Sequence, residues 1–146
     1  MKIYEVTDKK KYLPLLLLAD EQKNMIDRYI KTSQMYVLDD NAIIGEITVR
    51  ELSRGILEIK NLAIFPEYQR KGYGKALIRF ICEKYKGRYS VLQVGTGDSL
   101  LTVPFYEKCG FIKSHIVKNF FVENYDHPII ENGKRLIDMV YLKKTI

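Results

Sequence analysis

The stretch that decides the fold is Leu57 to Tyr85, with the loop Gln69-Arg70-Lys71-Gly72-Tyr73-Gly74-Lys75-Ala76 at its centre. Before the loop, Ile56–Phe65 is an apolar run rich in β-branched residues, which predicts a buried strand that Pro66 ends. After the loop, apolar residues recur at helical spacing, and Gly87 supplies a stop signal. The residues of this apolar stripe are Ala76, Leu77, Phe80, Ile81 and Tyr85.

The loop has the features of an anion-binding site. Main-chain N–H groups of the loop and the first helical turn point at the ligand position, where the helix dipole favours negative charge. Gly72 and Gly74 have no Cβ, so a phosphate can approach the backbone closely. The dinucleotide fingerprint requires a third glycine where Leu77 stands, and the Walker loop requires Ser or Thr where Ala76 stands. A basic turn that merely joins strand to helix is the alternative interpretation.

Length and charge limit the class of protein. At 146 residues the chain has the size of one domain, residues 1–146, without repeats or linkers. Lys and Arg number 24 against 18 Asp and Glu, and the resulting net charge of +6 favours an anionic partner. The lysines are spread from Lys2 to Lys144 and form no basic block with interleaved aromatic residues, so we expect no nucleic acid.

Cysteine usage and hydropathy point to the cytoplasm. Cys82 and Cys109 form neither a zinc-type spacing nor a disulfide framework, so we expect no metal and a reducing compartment. Lys9-Lys10-Lys11 followed by Leu13–Ala19 imitates a signal peptide, but the apolar run contains Pro14 and leads straight into charged residues. No run approaches transmembrane length, so we expect no membrane association.

The remaining chain predicts strands and helices around the central stretch. The predicted strands are Lys2–Val6, Met35–Leu38, Ile43–Val49, Tyr89–Val94, Phe111–Val122 and Leu136–Lys143. The predicted helices are Leu13–Ala19, a segment with its stripe at Met25–Ile30, and Leu100–Lys108. Alternation in Ile43–Val49 gives that strand a polar face with Glu46 and Thr48. Gly95–Ser99 predicts a turn, and Glu123–Lys134 predicts a loop.

A second motif, Phe105-Tyr106-Glu107-Lys108-Cys109-Gly110-Phe111, ends the helix Leu100–Lys108. Gly110 suits a left-handed helix stop. In this order and at this distance, the two motifs resemble those of the GNAT N-acetyltransferase superfamily, whose acetyl-CoA loop reads Gln/Arg-x-x-Gly-x-Gly/Ala. The resemblance covers essentially the whole chain, and Asn124–Gly133 is similar to a bacterial subgroup of unassigned substrate.

The resemblance implies an α/β (α+β) fold, in which a mixed, mostly antiparallel sheet splays open beside the central strand and is flanked by helices. It implies acetyl-CoA as co-substrate, with the pantetheine arm paired to the main chain of Leu62, Ala63 and Ile64. The pyrophosphate is then expected on the loop, at Gln69, Arg70, Lys71, Gly72, Tyr73, Gly74 and Lys75. A further contact with the cofactor is expected at the start of the later helix. Ser99, or main-chain groups, is favoured for it over Asp98 because a carboxylate would repel the phosphates.

Acetyl transfer from a thioester to an amine requires a base for an ammonium group with a pKa of about 10, an oxyanion donor and an acid for the thiolate. The motif match assigns the acid role to Tyr106, which could instead be a half-buried aromatic residue with a satisfied hydroxyl. Several GNAT enzymes carry a catalytic Glu where Glu58 stands, six residues before Ile64. The alternative for Glu58 is a solvent-facing carboxylate paired with Lys60. Strict alternation puts Glu58 on the face of Leu62 and Ile64, whereas a bulge in this strand would change that count.

Two histidines are further candidates for the base. His115 lies inside a predicted strand, where a structural role is expected. His127 lies in the predicted loop and either faces solvent or lines an acceptor pocket with Tyr125, Asp126 and Glu131. Carboxylates in such a pocket would attract a cationic amine.

The sequence therefore predicts direct acetyl transfer from acetyl-CoA to a primary amine, since neither cysteine is placed for a covalent intermediate. A small amine, an aminoglycoside-like compound and a protein or peptide amine remain open as acceptors. The alternative function is a catalytically weak CoA-binding sensor or interaction module. A homodimer through the last strands follows from family analogy.

Overall fold

The computed structural model describes residues 1–146 and contains nine strands and five α-helices. The strands are β1 (Lys2–Val6), β2 (Gln34–Asp39), β3 (Ile43–Ser53), β4 (Ile56–Ile64), β5 (Val91–Gly97), β6 (Ile112–Val117), β7 (Ile130–Glu131), β8 (Lys134–Arg135) and β9 (Met139–Thr145). The helices are α1 (Leu13–Ala19), α2 (Lys23–Asp27), α3 (Tyr73–Tyr85), α4 (Val103–Lys108) and α5 (Phe120–Asn124). None of these helices is both long and apolar enough to cross a membrane.

The main sheet splays open beside β4. Seven strands pair in the order β1-β2-β3-β4-β5-β9-β6, and only β4 and β5 run parallel. These two strands pair from Ile56 opposite Val91 to Ile59 opposite Val94. Beyond Ile59, β4 remains paired with β3 but has no strand on its other side. The predicted mixed, mostly antiparallel, splayed sheet is therefore confirmed.

Apolar cores lie on both faces of the sheet. On one face, α3 buries Leu77 and Ile81, as its helical spacing predicts. On the other face, α1 and α2 bury Leu16 and Ile26. Each such aliphatic side chain contributes about 1.5–3 kcal/mol when it is fully buried, so the two helical layers hold the splayed sheet rigidly.

A bulge in β4 determines which face Glu58 occupies. The β3–β4 register shifts by one residue at Lys60. Because of this shift, Leu57 before the bulge and Leu62 after it both pack on the α3 face, which strict alternation would not allow. The prediction that Glu58 shares a face with Leu62 and Ile64 is therefore wrong. Glu58 points to the opposite side of the sheet, toward α2.

The polar residues of β3 face the protein interior. Glu46 and Thr48 are both 0% exposed, because α1 packs over that face of the sheet. The Thr48 hydroxyl donates to Glu46 Oε1 at 2.6 Å, whereas Glu46 Oε2 has no partner. Burial raises the pKa of Glu46 to about 8, although hydrogen bonds from Thr48 and the main chain of Ala63 oppose the shift. The carboxyl is therefore held in its neutral form around pH 7.

Replacing Glu46 with Gln should make stability less dependent on pH. The pKa of Glu46 rises on folding from 4.5 to about 8, so between these values the folded state binds more protons than the unfolded state. The free energy of unfolding of the wild type therefore falls as pH rises through this window. Thermal unfolding from about pH 5 to about pH 8 should show a smaller decline for Glu46→Gln, with a gain of a few kcal/mol over wild type at the upper end.

The exposed Glu51 provides the matched control, since Glu51→Gln makes the same chemical change outside the core. The stability of this control variant should decline with rising pH as that of the wild type does. An equal decline in Glu46→Gln would contradict a buried neutral carboxyl.

The predicted turn at Gly95–Ser99 is instead largely strand, because β5 continues through Gly97. The glycine at 95 serves close packing between strands, since a Cβ there would lie 2.8 Å from Cε1 of Tyr141. The predicted helix at Leu100–Lys108 begins only at Val103. It ends as predicted, with Gly110 at a φ of 95°.

The predicted strand Phe111–Val122 is shorter than expected. β6 ends at Val117, and Asn119 adopts a left-handed φ of 60° immediately before α5. The Asn119 N–H donates to Asp138 Oδ1 at 2.9 Å, a long-range contact that holds this turn. A short hairpin, formed by β7 and β8, occupies part of the segment Glu123–Lys134, which the sequence predicts as a loop.

Candidate functional site

The N-terminus of α3 presents free main-chain donors. Gly72 has a φ of 87°, and its carbonyl accepts the first helical hydrogen bond from Ala76 at 3.0 Å. The N–H groups of Tyr73, Gly74 and Lys75 therefore have no acceptor within the chain. Together with the helix dipole, these three free donors favour a negatively charged group at the start of α3, where the sequence predicts one.

The surroundings of the loop leave room for a ligand. No atom lies within 4 Å of the position that a Cβ would take on Gly72. A Cβ on Gly74 would lie 3.0 Å from Cζ of Phe105, so this glycine lets α4 pack against the start of α3. The side chains of Arg70, Lys71 and Lys75 are exposed and form no ion pair. Their charges remain available to an anion.

The open edge of β4 lies directly before this loop in the chain. Phe65 N–H donates to Ile44 O on β3, so the main-chain groups of the preceding residue, Ile64, point away from β3. By the same alternation, Leu62 points toward the open side and Ala63 toward β3. The Gln69 side-chain amide donates to Ile64 O at 2.9 Å, which ties the loop to this edge.

Tyr106 lies on α4, next to Phe105, which packs beside Gly74 of the loop. Tyr106 is 7% exposed, and its hydroxyl makes no hydrogen bond within the chain. Burial, and then the nearby Cys109 and Glu46, raise the pKa of the Tyr106 hydroxyl above its ordinary value, so it stays protonated at neutral pH. Cys109 is buried at the helix end as a packing residue.

Ser99 has a structural contact of its own. It is buried, and its Oγ accepts a hydrogen bond from the Leu101 N–H at 3.1 Å, in the turn that precedes α4. Its own hydroxyl hydrogen is not used in that contact. A cofactor contact by Ser99 stays a prediction.

Glu58 is buried and fully engaged. Its side chain is 6% exposed, and Oε1 lies 2.7 Å from Lys60 Nζ. Gln93 Nε2 on β5 donates to Glu58 Oε2 at 2.6 Å. The Lys60 pairing considered from the sequence is present, but the expectation of a solvent-facing carboxylate is wrong. The carboxylate instead lies where β4 and β5 begin to diverge.

Glu58 lines a cavity of about 210 Å³ at the point of divergence. Its charged lining residues are Asp20, Arg28, Arg50, Glu58 and Lys60. Its aromatic and thioether walls are Met25, Tyr29, Phe120, Tyr125, Met139 and Tyr141. Of the four loop residues considered for an acceptor pocket, the lining of this cavity includes only Tyr125, and Asp126, His127 and Glu131 lie outside it.

The histidines lie outside this cavity. His127 is exposed between Asp126 Oδ1 at 2.6 Å and Glu21 Oε1 at 2.8 Å, and these hydrogen bonds raise its pKa. His115 stacks on Tyr141 with ring centroids 4.6 Å apart, which agrees with the expected structural role. Neither histidine is placed to act on a molecule in the cavity.

A larger open groove of about 650 Å³ lies between β2, the end of β3 and the C-terminal end of α3, and Arg50 lines both this groove and the Glu58 cavity. It contains none of the motif residues. The smaller cavity is therefore the candidate acceptor site, because it combines a buried carboxylate with the open edge of β4.

Sequence reasoning missed most of the residues that line this cavity. Asp20 precedes α2, Arg50 lies on β3, and Tyr141 lies on β9, so no local motif joins them. The clearest signal available was Glu58 itself, an acidic residue within an apolar strand.

Comparison with known proteins gives the family. The sequence profile of the acetyltransferase (GNAT) domain matches residues 31–113. YvbK, an uncharacterised N-acetyltransferase of Bacillus subtilis (strain 168), is 35% identical over 131 residues, which cover 88% of this chain and 84% of that protein.

Two solved structures are similar over almost their whole length. A GNAT family acetyltransferase from Elizabethkingia anophelis, with acetyl-CoA bound, is 36% identical with a TM-score of 0.92, covering 99% of this chain and 97% of that one. A Bacillus subtilis acetyltransferase in complex with CoA is 32% identical with a TM-score of 0.90, covering 99% and 98%. The family profile matches more than half of the sequence, and the similar proteins cover most of it. We therefore conclude that the chain belongs to the GNAT family of acetyltransferases.

Proposed function

We propose that this protein transfers the acetyl group of acetyl-CoA directly to a primary amine. The observation that carries the proposal is the free N-terminus of α3, which follows the same β4 edge that opens beside the Glu58 cavity. The two similar solved structures support it, because one has acetyl-CoA bound and the other CoA.

The chain offers complementary groups to each part of acetyl-CoA. The pyrophosphate would lie on the loop Gln69–Lys75, where the free N–H groups and three basic side chains supply donors and positive charge. The pantetheine amides would pair with the outward main-chain groups of Leu62 and Ile64 on β4. Acetyl-CoA supplies the acetyl group as an activated thioester.

Glu58 in the cavity, together with the main chain of β4 and Tyr106 on α4, would provide the proton transfers and stabilise the oxyanion. Glu58 would accept the proton of the acceptor ammonium, directly or through water, so that the amine can attack. A main-chain N–H of β4, such as that of Leu62, would donate to the oxyanion. Tyr106 would donate its proton to the departing sulfur, and its raised pKa keeps that proton present at neutral pH.

Release of free thiol from acetyl-CoA, with and without a panel of amines, tests this function. Amine-dependent release together with an acetylated amine identified by mass spectrometry is the expected result. Binding of acetyl-CoA without amine-dependent release would favour a sensor or interaction module instead. Absence of acetyl-CoA binding would overturn the proposal.

Replacing Tyr106 with Phe should lower kcat by at least about tenfold and leave acetyl-CoA affinity nearly unchanged. The variant removes only the hydroxyl, which makes no hydrogen bond within the chain, and it keeps the ring in the core. Steady-state kinetics and calorimetry measure the two quantities. Tyr89→Phe removes a hydroxyl that bonds Glu51 in the larger groove and should keep full activity. Unchanged kcat in Tyr106→Phe would exclude the acid role.

A further inference from the structure

The Glu58 cavity contains two arginines without a carboxylate partner. We propose that the acceptor is a small amine that also carries an anionic group, either a carboxylate or a phosphate, and that Arg28 and Arg50 bind this group. The proposal rests on the proposed function, because it assigns the acceptor class of the same cavity.

The acidic groups of the cavity are already engaged within the chain. Glu58 is paired with Lys60 and Gln93. Asp20 accepts hydrogen bonds from the hydroxyls of Tyr125 at 2.7 Å and Tyr29 at 3.4 Å. The carboxylates therefore do not neutralise the arginines.

The arginines are held by neutral acceptors alone. Arg28 Nη1 donates to Asn124 Oδ1 at 3.0 Å, and Arg50 Nη1 donates to Arg28 O and to Thr32 Oγ1, each at 3.3 Å. No ion pair of the structure includes either guanidinium. Only one nitrogen of each group is used, so each keeps free N–H donors in the planar arrangement that fits a carboxylate or phosphate.

The anionic and amine subsites lie side by side. Arg50 on β3 is the direct cross-strand partner of Glu58 on β4. Cβ atoms of such cross-strand pairs are about 4.5–5.5 Å apart. The two side chains nevertheless have different partners, because Arg50 donates to the carbonyl oxygen of Arg28 and Glu58 pairs with Lys60. An acceptor with its amine at Glu58 and its anion at the arginines would therefore be short.

The size and walls of the cavity support a small molecule. A volume of about 210 Å³ is below the roughly 300–1,000 Å³ typical of sites for drug-sized ligands. Tyr29, Phe120 and Tyr141 give the cavity aromatic walls, so an acceptor with an apolar body is favoured over a polyamine.

Matched amines provide the first test. Phenylalanine is compared with 2-phenylethylamine, and aminoethyl phosphate with ethanolamine, in the presence of saturating acetyl-CoA; spermidine and a lysine-containing peptide complete the panel. We expect kcat/KM to be at least about tenfold higher for an anion-bearing amine than for the matched amine that lacks the anionic group. The pair that shows the larger ratio distinguishes carboxylate from phosphate.

Arginine variants provide the second test. Arg28→Met and Arg50→Met should raise KM for the anion-bearing amine by at least about tenfold. They should change its kcat little, and they should also change little the KM of the matched amine that lacks the anion. Arg54→Met, in the exposed turn between β3 and β4, removes the same charge away from the cavity and should behave as wild type. Arg28→Glu should reverse the preference toward spermidine.

Direct binding decides the question if no amine of the panel is acetylated. Calorimetry of the CoA complex with 3-phenylpropionate and with inorganic phosphate should show binding that the Arg28→Met/Arg50→Met double variant loses. Equal binding by wild type and double variant, or equal acetylation of each matched pair, would overturn the acceptor class. Either result with intact acetyl-CoA binding leaves the proposed function standing, whereas loss of acetyl-CoA binding itself would refute that function.

Discussion

Glu58→Gln should lower kcat by at least about 100-fold while leaving acetyl-CoA affinity unchanged. The substitution keeps the shape of the side chain, and its amide oxygen can still accept the hydrogen bond from Gln93. It removes the only group of the cavity at the divergence of β4 and β5 that we propose as proton acceptor. Single-turnover acetyl transfer and calorimetry measure the two effects separately.

Lys60→Met separates catalysis from support of the fold. This variant breaks the same ion pair, which joins Lys60 Nζ to Glu58 Oε1 at 2.7 Å, but it keeps the carboxylate. We expect it to lose less than about tenfold in kcat, so the two variants should differ widely. Equal losses in both would mean that the ion pair, and not the base, is what the reaction requires.

Gly72→Glu should weaken acetyl-CoA binding by about 100-fold or more. The new carboxylate would lie beside the free N–H groups of Tyr73, Gly74 and Lys75, where it would compete with phosphate and repel it. Calorimetric titration with acetyl-CoA measures the affinity, and circular dichroism checks the fold.

Gly87 provides a close control at the other end of α3. Both glycines have a φ of 87°, and neither has an atom within 4 Å of the position of a Cβ. Gly87→Glu therefore introduces the same charge and the same backbone strain, and it should bind acetyl-CoA as the wild type does. A similar loss in both variants would indicate strain or net charge as the cause, and would remove the evidence for a phosphate site at Gly72.

The local structure of the segments that we propose for the cofactor could be predicted from the sequence, because each segment is contiguous. The loop from Gln69 to Lys75 takes its form from local glycine conformation and a helix start, and the structure places it as expected. The motif around Tyr106 includes the end of α4 at Lys108 and the left-handed Gly110 that follows, again for local reasons.

The acceptor side could not be predicted because its parts meet only in the folded chain. Arg28, Arg50 and Tyr141 come from three separate elements, and each alone is an ordinary polar residue. The side of Glu58 depends on one bulge residue, Lys60, which alternation cannot detect. The alternation in β3 correctly predicts that its polar residues share one face. That face is buried because α1, which is distant in sequence, packs over it.

The central claim is that acetyl-CoA binds between the N-terminus of α3 and the open edge of β4. An NMR titration of the isotope-labelled protein with acetyl-CoA tests it most directly. We expect the largest amide shifts at Tyr73, Gly74 and Lys75 and at Leu62, with little change at Gly87. Shifts concentrated instead around the larger groove, at residues such as Arg88 and Tyr89, would contradict the account.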